Sequence, residues 1–423
     1  MNSLREFAKY ISLSVLTMFS VSAYILADTF FIAFDMGAYG LAALNFAIPI
    51  YGVIFAMSLM LGIGGATRFS MLRSEGREED ARRVYTTTLI SAAVLSLVVV
   101  VVGGTFAREI SAFMGAYGAV LELTTTYLRT IALFGPAFLG CHVLASFARN
   151  DGAPVRSMAA LAGNSMLNIL LDYVFMFMLG WGMFGAALAT GVSHTIGMFI
   201  LIPHFWGHKL PRPNWAELGK MLSIGLPTFI SNVSLGIVIA VFNVIVLGIS
   251  GNVGVAAYGV LVNVLIVLVS IYDGIAQGVQ PLMSRDRAKA RLYLRYAMVT
   301  VLTISLVVYV GVFFGADSLA SIFNSENNEE FQQLAVYGMR IYFSGIVFIG
   351  FNIITAIYFT SVGNPRPAQI VSVLRGFVVI LPVVAILSSI AGLTGVWLTL
   401  PISEAGVAVV AASFLLRGIK HAA

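Results

Sequence analysis

Charged side chains are scarce in this sequence, since Asp, Glu, Lys and Arg together make up 10% of its 423 residues. Hydrophobic residues account for 59%, which exceeds what the core of a soluble protein of this size absorbs. The only cysteine is Cys141, so an internal disulfide is excluded and the redox compartment stays undefined. These shortages exclude an ordinary soluble domain and indicate a protein whose helices lie in lipid.

Motifs of enzymes and of nucleic-acid-binding proteins are lacking as well. No nucleotide-binding glycine loop, His/Glu metal-ligand motif or nucleophile elbow stands in a credible context. The net charge of +5 comes from basic residues spread over several loops, and such a charge does not by itself predict a nucleic-acid partner. We therefore expect no enzymatic activity, no catalytic residue, no cofactor and no nucleic-acid binding.

Apolar stretches long enough to cross a bilayer occur along the whole chain, a crossing helix needing about 20 residues. Each is predicted to be a helix, because lipid cannot satisfy the hydrogen bonds of an open backbone. The fold class expected is an all-α polytopic membrane protein with twelve transmembrane helices. The predicted spans are residues 10–35, 41–67, 84–105, 121–147, 157–179, 184–205, 221–248, 254–283, 292–315, 331–361, 369–390 and 394–416.

The second half of the sequence repeats the first. Lys9 and Lys220, and likewise Pro154 and Pro365, are each 211 residues apart. A unit of six spans starts and ends on the same side of the membrane, so the two halves are predicted to be related by an axis along the membrane normal. We expect two pseudo-symmetric six-helix lobes, residues 1–206 and 221–423. A proline-containing cytoplasmic linker, residues 207–220, is predicted to join them.

Basic residues predict the orientation of the chain. If the N-terminus is cytoplasmic and the loops alternate, all of the 24 Lys and Arg residues except Arg108, Arg129 and Arg340 lie at cytoplasmic ends. An excess of positive charge in cytoplasmic loops is the strongest signal of topology in helical membrane proteins. Both termini are therefore predicted to be cytoplasmic.

A few oxygen-bearing side chains fall inside the spans of the predicted first lobe. Asp28 is on the first span, Asn168 and Asp172 share a face of the fifth because they are four residues apart, and Thr190 is on the sixth. A carboxylate in hydrocarbon is costly unless it faces water, is protonated or neutralises a cation. These four residues suit a sodium ion or, as a coupled acid pair, a proton. The alternative is a hydrogen-bond network that only holds the helices together.

Five segments of the sequence resemble the multidrug and toxic compound extrusion (MATE) family in their order and spacing. They are Ala27-Asp-Thr-Phe-Phe-Ile-Ala33, Leu167-Asn-Ile-Leu-Leu-Asp172, Gly185-Ala-Ala-Leu-Ala-Thr190, Gly225-Leu-Pro227 and Gln277-Gly-Val-Gln-Pro281. The resemblance covers essentially the whole chain. It implies that Asp28, Asn168, Asp172 and Thr190 form the cation site of the first lobe. Tyr127, followed by Leu and Arg, resembles a tyrosine that lines the same cavity, and it is a candidate substrate or relay residue.

The sequence departs from the family at two places. The family often has a proline early in the first span, whereas Leu16 occupies the repeat position of Pro227. The residues 211 positions after Asn168 and Asp172 are Val379 and Val383. We therefore expect cation coupling to be confined largely to the first lobe.

Three further polar residues in the spans are weaker candidates for a substrate or relay role. His194 follows Thr190 by one helical turn, and Glu404 is its repeat partner at an offset of 210. Asp273, on the eighth span, could attract a cationic substrate or pair with a neighbouring polar side chain. A satisfied structural histidine is the alternative for His194. Arg375 is predicted to extend towards the cytoplasmic interface.

The family resemblance implies a secondary active efflux antiporter that exports small amphipathic organic cations by alternating access. The coupling ion is left open between H+ and Na+, and Na+ would bind at Asp28, Asn168, Asp172 and Thr190. We expect a monomer in contact with membrane lipid, in a bacterial-type cytoplasmic (inner) membrane. The alternative is a lipid-linked oligosaccharide flippase of the same superfamily, which a cationic cleft and additional spans would favour.

Overall fold

The computed structural model describes residues 3–205, 210–324 and 328–420, and within these ranges helix is the only regular secondary structure. Nine helical segments of the described chain are long and apolar enough to cross a membrane, or ten if a bent pair is counted as one span. That pair is Gly118–Leu133 and Gly135–Asn150, which meet at 54°. A chain of this kind fits a lipid environment, where every backbone group must be satisfied within its own segment.

Twelve α-helices make up the described chain, and four of them contain a non-helical break. The broken helices are α1 (Ser3–Ser74) at Gly37, α2 (Glu78–Phe113) at Phe106, α7 (Leu218–Arg285) at Ser250 and Gly251, and α12 (Ile380–Lys420) at Gly392. The others are α3 (Gly118–Leu133), α4 (Gly135–Asn150), α5 (Pro154–Asp172), α6 (Gly182–Leu201), α8 (Ala290–Phe323), α9 (Glu329–Tyr342), α10 (Ile346–Ser361) and α11 (Pro365–Val373).

These helices combine into the twelve predicted transmembrane spans. α1 and α7 each supply two spans, one on either side of the break. The pairs α3 with α4 and α9 with α10 each supply one, and α11 continues through a π-helical turn into the first part of α12. The predicted fold class is confirmed. Some of the spans that were predicted as uninterrupted helices are bent. Each bend contains a glycine, a proline or a π-helical turn, and these are the usual causes of helix bending.

The internal repeat is visible in the backbone. The break after the first span has Gly37 at φ 59° and ψ −145°, and the break after the seventh has Gly251 at φ 59° and ψ −154°. Glycine occupies both positions because a Cβ disfavours this positive-φ conformation. Three pairs of helices also begin 211 residues apart, at Gly118 and Glu329, Gly135 and Ile346, and Pro154 and Pro365.

The chain divides into two compact units. The first unit is Met1–Val233 with Ser284–Asp286, and the second is Ser234–Met283 with Arg287–Ala423. The core of the first unit contains Phe147, and that of the second contains Trp397, both fully buried. The lobe boundaries predicted from the sequence, at residues 206 and 221, stay predictions.

The described part of the predicted linker is attached to the first unit. Residues 207–209 lie outside the described residues. Beyond them, the backbone N of Asn214 donates to Thr87 Oγ1 at 2.9 Å. Glu217 closes a short 3-10 helix, and its Oε2 accepts from Arg68 Nε at 2.7 Å. These contacts attach the segment before α7 to α1, through Arg68, and to α2, through Thr87.

Candidate functional site

Asp28 and Asp172 lie in one buried region of the first unit. Asp28, in the first half of α1, is 7% exposed, and Asp172, the last residue of α5, is 0% exposed. α1 packs along α5, and the charges of the two carboxylates act on each other. The acids predicted on the first and fifth spans are therefore brought together.

Asn168 connects Asp172 to Thr190. One amide atom of Asn168 lies 3.2 Å from Thr190 Oγ1, and the other lies 3.3 Å from Asp172 Oδ2. A carboxylate only accepts hydrogen bonds, so beside an ionised Asp172 the amide nitrogen must face the acid. Asn168 then donates to Asp172 and accepts from Thr190. The four residues predicted to form a cation site thus lie in one region, three of them joined by hydrogen bonds.

Tyrosines surround the two acids. The side chain of Tyr127, on α3, makes a hydrogen-bonding contact with Thr190 and lies within the electrostatic reach of Asp28 and Asp172. Tyr24 precedes Asp28 by four residues, and its hydroxyl lies 2.9 Å from the Tyr51 hydroxyl. Tyr127 was expected at this site. Tyr24 and Tyr51 were not expected there. Tyr24 could have been found from the sequence, because its spacing of four residues from Asp28 places Tyr24 and Asp28 on one helix face.

A π-helical turn and a glycine position the ends of α5 and α6. Tyr173–Met178 form the π-helical turn directly after Asp172, a feature frequent at functional sites. A Cβ added at Gly185 would lie 3.0 Å from the backbone C and O of Phe175 in this turn. The close approach of α6 therefore depends on glycine, and it holds Thr190 opposite Asn168.

The acids keep unused hydrogen-bonding capacity. Among the described residues, Oδ1 of Asp28 and Oδ1 of Asp172 have no hydrogen-bond partner. Buried polar atoms are satisfied in most proteins, so these two oxygens need a ligand or a proton. No group of three or more His, Cys, Asp or Glu side chains that could hold a metal ion occurs in the part of the chain that the structure describes. A cation here would use the amide and hydroxyl oxygens of Asn168 and Thr190 beside the two carboxylates.

His194 extends the site by one helical turn. Its Nδ1 lies 2.7 Å from the Thr190 carbonyl oxygen, and its ring centroid lies 4.5 Å from that of Phe138 and 5.6 Å from that of His142. A carbonyl only accepts, so Nδ1 carries the hydrogen and Nε2 is the accepting nitrogen. His194 is thus attached to the site through the backbone of Thr190.

The remaining candidates, Asp273 and Glu404, belong to the second unit. Glu404 accepts from Arg375 Nε at 2.6 Å and from Asn352 Nδ2 at 2.8 Å. Asp273 is partly buried and lies within the electrostatic reach of Arg375. Arg375, predicted to extend towards the cytoplasmic interface, has a guanidinium that pairs with the buried carboxylate of Glu404. For Asp273, pairing with a polar side chain was the alternative to binding a substrate. The residue with hydrogen bonds to such side chains is Glu404, which accepts from Arg375 and Asn352.

The chain is similar to known membrane proteins along most of its length. A family model described as MatE matches it twice, at residues 14–174 and 227–387, so both halves match the same model. The multidrug export protein MepA of Staphylococcus aureus (strain MRSA252) is 26% identical over 400 residues, 92% of this chain and 88% of that protein. A MepA of Staphylococcus saprophyticus is 26% identical over 393 residues, 90% of this chain and 86% of that protein.

Solved structures share the fold. One, described as the outward-facing conformation of a multidrug resistance MATE family transporter of the MOP superfamily, aligns with a TM-score of 0.90 at 22% identity over 98% of this chain and 96% of that one. A MATE crystal structure in the bent conformation aligns with a TM-score of 0.91 at 22% identity over 100% of this chain and 96% of that one. These similarities support the two-lobe arrangement of twelve helices.

Proposed function

The chain belongs to the multidrug and toxic compound extrusion family, matched by the MatE model over both halves, and we propose that it is a secondary active multidrug efflux antiporter. It exports small amphipathic organic cations in exchange for H+ or Na+ by alternating access. A transporter of this family is not an enzyme, and we propose that it uses no cofactor. Its similarity to proteins named as multidrug export proteins supports the export of drugs.

The buried acid pair carries the proposal. Asp28 and Asp172 lie in membrane-spanning helices, and each keeps one carboxylate oxygen without a partner among the described residues. Two ionised carboxylates that share a buried site repel each other and are poorly solvated. A proton or a sodium ion would relieve both costs. The site therefore attracts a cation, as a coupling site must.

Competition for this negative charge explains the exchange. An organic cation and the coupling ion are both positive, so each is held by the potential of Asp28 and Asp172. Binding of one lowers the affinity for the other, and by linkage the effect is reciprocal. An inward gradient of the coupling ion then favours release of the organic cation to the outside.

Asn168 fits either coupling ion. If Asp172 is protonated, its hydroxyl can donate, and the amide of Asn168 can turn so that its oxygen accepts from Asp172 and its nitrogen donates to Thr190 at 3.2 Å. With Na+ bound, the amide and hydroxyl oxygens can serve as ligands of a hard cation. Separate ion gradients decide between the two.

We propose that the protein is a monomer in a bacterial-type cytoplasmic (inner) membrane, with both termini in the cytoplasm. The concentration of Lys and Arg in alternate loops supports the orientation. The alternative of a lipid-linked oligosaccharide flippase is not favoured, because the relatives are named as multidrug export proteins. We propose that the protein binds no nucleic acid and that membrane lipid surrounds its helices.

The test is transport in proteoliposomes with a pH gradient and a sodium gradient imposed separately. Asp28→Asn and Asp172→Asn should abolish export driven by the gradient that drives the wild type, while the variants stay folded. Asp35→Asn is the matched control, since Asp35 is an exposed residue of the same helix as Asp28. Wild-type export by either of the first two variants contradicts the assignment of the site.

A further inference from the structure

Arg149, the last residue but one of α4, is a buried cation. Only 4% of its surface is exposed. Arginine stays protonated in proteins, and its guanidinium carries five N–H donors and no acceptor. A charge buried in this way is costly unless it is paired and its donors are satisfied. The contacts of Arg149 therefore show what this part of the first unit still has to bind.

Hydrogen bonds satisfy little of the Arg149 side chain. Among the described residues, its one hydrogen bond runs from Nη2 to Ser146 Oγ at 3.5 Å, longer than the usual distance of about 2.7–3.2 Å. Nε has no hydrogen-bond partner there. Ser146 precedes Arg149 by three residues, so the guanidinium points back along α4. It does not extend towards water at the helix end, as arginines near a membrane interface usually do.

No acid in the described part of the chain compensates the charge of Arg149. None of the ion pairs between described residues includes it. The acid nearest to it in the sequence is Asp151, whose carboxylate pairs with Arg73 and His204. Glu78 also pairs with Arg73. The carboxylates at this end of the first unit thus have other cations as partners.

The second half of the chain has a neutral residue at the equivalent position. Thr360 follows Arg149 by 211 residues, lies on α10 and is 2% exposed. Its Oγ1 donates to the Ala356 carbonyl oxygen at 2.9 Å, so it is satisfied within its own helix. This position of the repeat is therefore compatible with a neutral side chain, and the cation of the first half needs a separate explanation.

A surface cavity opens this end of the first unit to a ligand. Its volume is about 290 Å³, and Ser70 and Asn150 are two of the residues that line it. Asn150 Nδ2 donates to the Ser146 carbonyl oxygen at 3.0 Å, so a residue of the cavity wall and Arg149 both bond to Ser146. Ser70 is 2% exposed, and its Oγ has no hydrogen-bond partner in the described chain. The wall thus contains an unsatisfied hydroxyl close to the buried cation.

Water alone does not remove the cost of this cation. A buried water molecule can accept a hydrogen bond from Nε, but it leaves the charge uncompensated. An anion accepts from several N–H donors and also neutralises the guanidinium, and such charge-assisted bonds are the strong ones. Because Arg149 is almost enclosed and carries one charge, the anion that suits it is small and monovalent.

We propose that Arg149 binds a small monovalent inorganic anion, of which chloride is the probe, beside the cavity at Asn150. The anion accepts from the guanidinium and stays bound as the counter-ion that the described chain does not supply. The residues of this site differ from those of the coupling site. The proposal therefore does not depend on which ion drives export, or on export itself.

The test measures the melting temperature of the full-length protein in detergent while chloride replaces gluconate. The ionic strength is held constant, because salt screens the surface charges, and gluconate serves as an anion too large for an enclosed site. A ligand that binds the folded state raises the melting temperature as its concentration rises. We expect chloride to do so in the wild type, and labelled chloride to bind at a single saturable site.

Arg149→Thr tests the assignment, because threonine is the residue of the second half and needs no counter-ion. We expect the affinity for chloride to fall about 10- to 100-fold, the loss typical of removing a hydrogen bond to a charged group. The melting temperature of this variant should then depend little on chloride. Arg156→Thr is the matched control, since Arg156 is an exposed residue of α5, and it should keep the response of the wild type.

Two results would overturn the proposal. One is a wild type that melts at the same temperature in chloride and in gluconate and binds no labelled chloride. The other is a full chloride response in Arg149→Thr, because the anion would then bind elsewhere. If Arg149→Thr does not fold, Arg149→Lys replaces it, since lysine keeps the charge but lacks the planar fork of donors. Its affinity for chloride should fall, and an unchanged affinity would overturn the proposal as well.

Discussion

Arg375 Nε lies 2.6 Å from Glu404 Oε1, so the buried acid of the second unit is neutralised by a cation of the protein itself. Asp28 and Asp172 of the first unit differ, since each keeps an oxygen without a partner among the described residues. His194 is the repeat partner of Glu404, so the same position holds an ionisable acid in one half and an imidazole in the other. The two units therefore differ in whether the protein itself supplies the cation beside the buried acid.

Removing Arg375 should destabilise the protein. Arg375→Met leaves the carboxylate of Glu404 buried at 4% side-chain exposure without its cation. Breaking one partner of a buried ion pair costs about 3–5 kcal/mol, and the 18% exposure of the Arg375 side chain favours the lower end. Thermal unfolding in detergent measures the loss. The double variant with Glu404→Gln should recover most of it, and a double variant as unstable as Arg375→Met would refute the pairing.

Sequence patterns predicted the helices, and the shared helix face of Asn168 and Asp172, because both depend on local spacing. Asn168 and Asp172 are one turn apart on any helix, and hydrophobic length alone identifies a span. The pairing of Arg375 with Glu404 depends on how two distant helices are rotated, and no local pattern encodes that rotation. The π-helical turn after Asp172 has no periodic signal either. The bond between the hydroxyls of Tyr24 and Tyr51 was missed because it joins the two spans on either side of the break in α1.

Close packing at Gly225 gives a second prediction. A Cβ added at Gly225 would lie 2.0 Å from the Met60 carbonyl oxygen, a backbone atom that cannot move aside cheaply. Gly225→Ala should therefore destabilise the protein by about 1–3 kcal/mol, as overpacking does. Gly219→Ala on the same helix is the control, because no atom of the described residues lies within 4 Å of its added Cβ. Equal thermal stability of the two variants would contradict the close approach of α1 and α7.

Glu217 should make stability depend on pH. The hydrogen bond from Arg68 holds the pKa of Glu217 below its ordinary value of 4.5. A carboxyl group with a lowered folded-state pKa contributes stability above its unfolded pKa and loses it as the pH falls through the folded one. The melting temperature should therefore fall on acidification below pH 4.5. Glu217→Gln should lower the melting temperature near neutral pH and reduce this dependence, whereas Glu79→Gln, an exposed control, should retain it. If the melting temperature of Glu217→Gln falls with acidification as much as that of the wild type, the ion pair between Arg68 and Glu217 is not the cause of this dependence.

Thr190→Ala distinguishes the coupling ions. A sodium ion would use the Thr190 hydroxyl as a ligand, as hard cations prefer oxygen, whereas a proton on Asp172 needs no such ligand. Under sodium coupling, the variant should require more Na+ for half-maximal export. Under proton coupling, export should be the same at all sodium concentrations. Thr195→Ala is the control on the same helix, since its hydroxyl donates to the Gly191 carbonyl at 2.8 Å away from the acids.

Substrate affinity should fall with acidification if the first unit carries the coupling charge. Protonation of Asp28 or Asp172 removes the negative potential that holds an organic cation, so proton and substrate oppose each other through one site. The affinity for a lipophilic cation can be measured from about pH 8 to about pH 5. In the wild type, this affinity should fall as the pH falls. Asp172→Asn should lose most of this dependence, and Asp273→Asn, the matched change in the second unit, should keep it. The reverse pattern, with the dependence lost only in Asp273→Asn, would place the coupling charge in the second unit and contradict the asymmetry of the two halves.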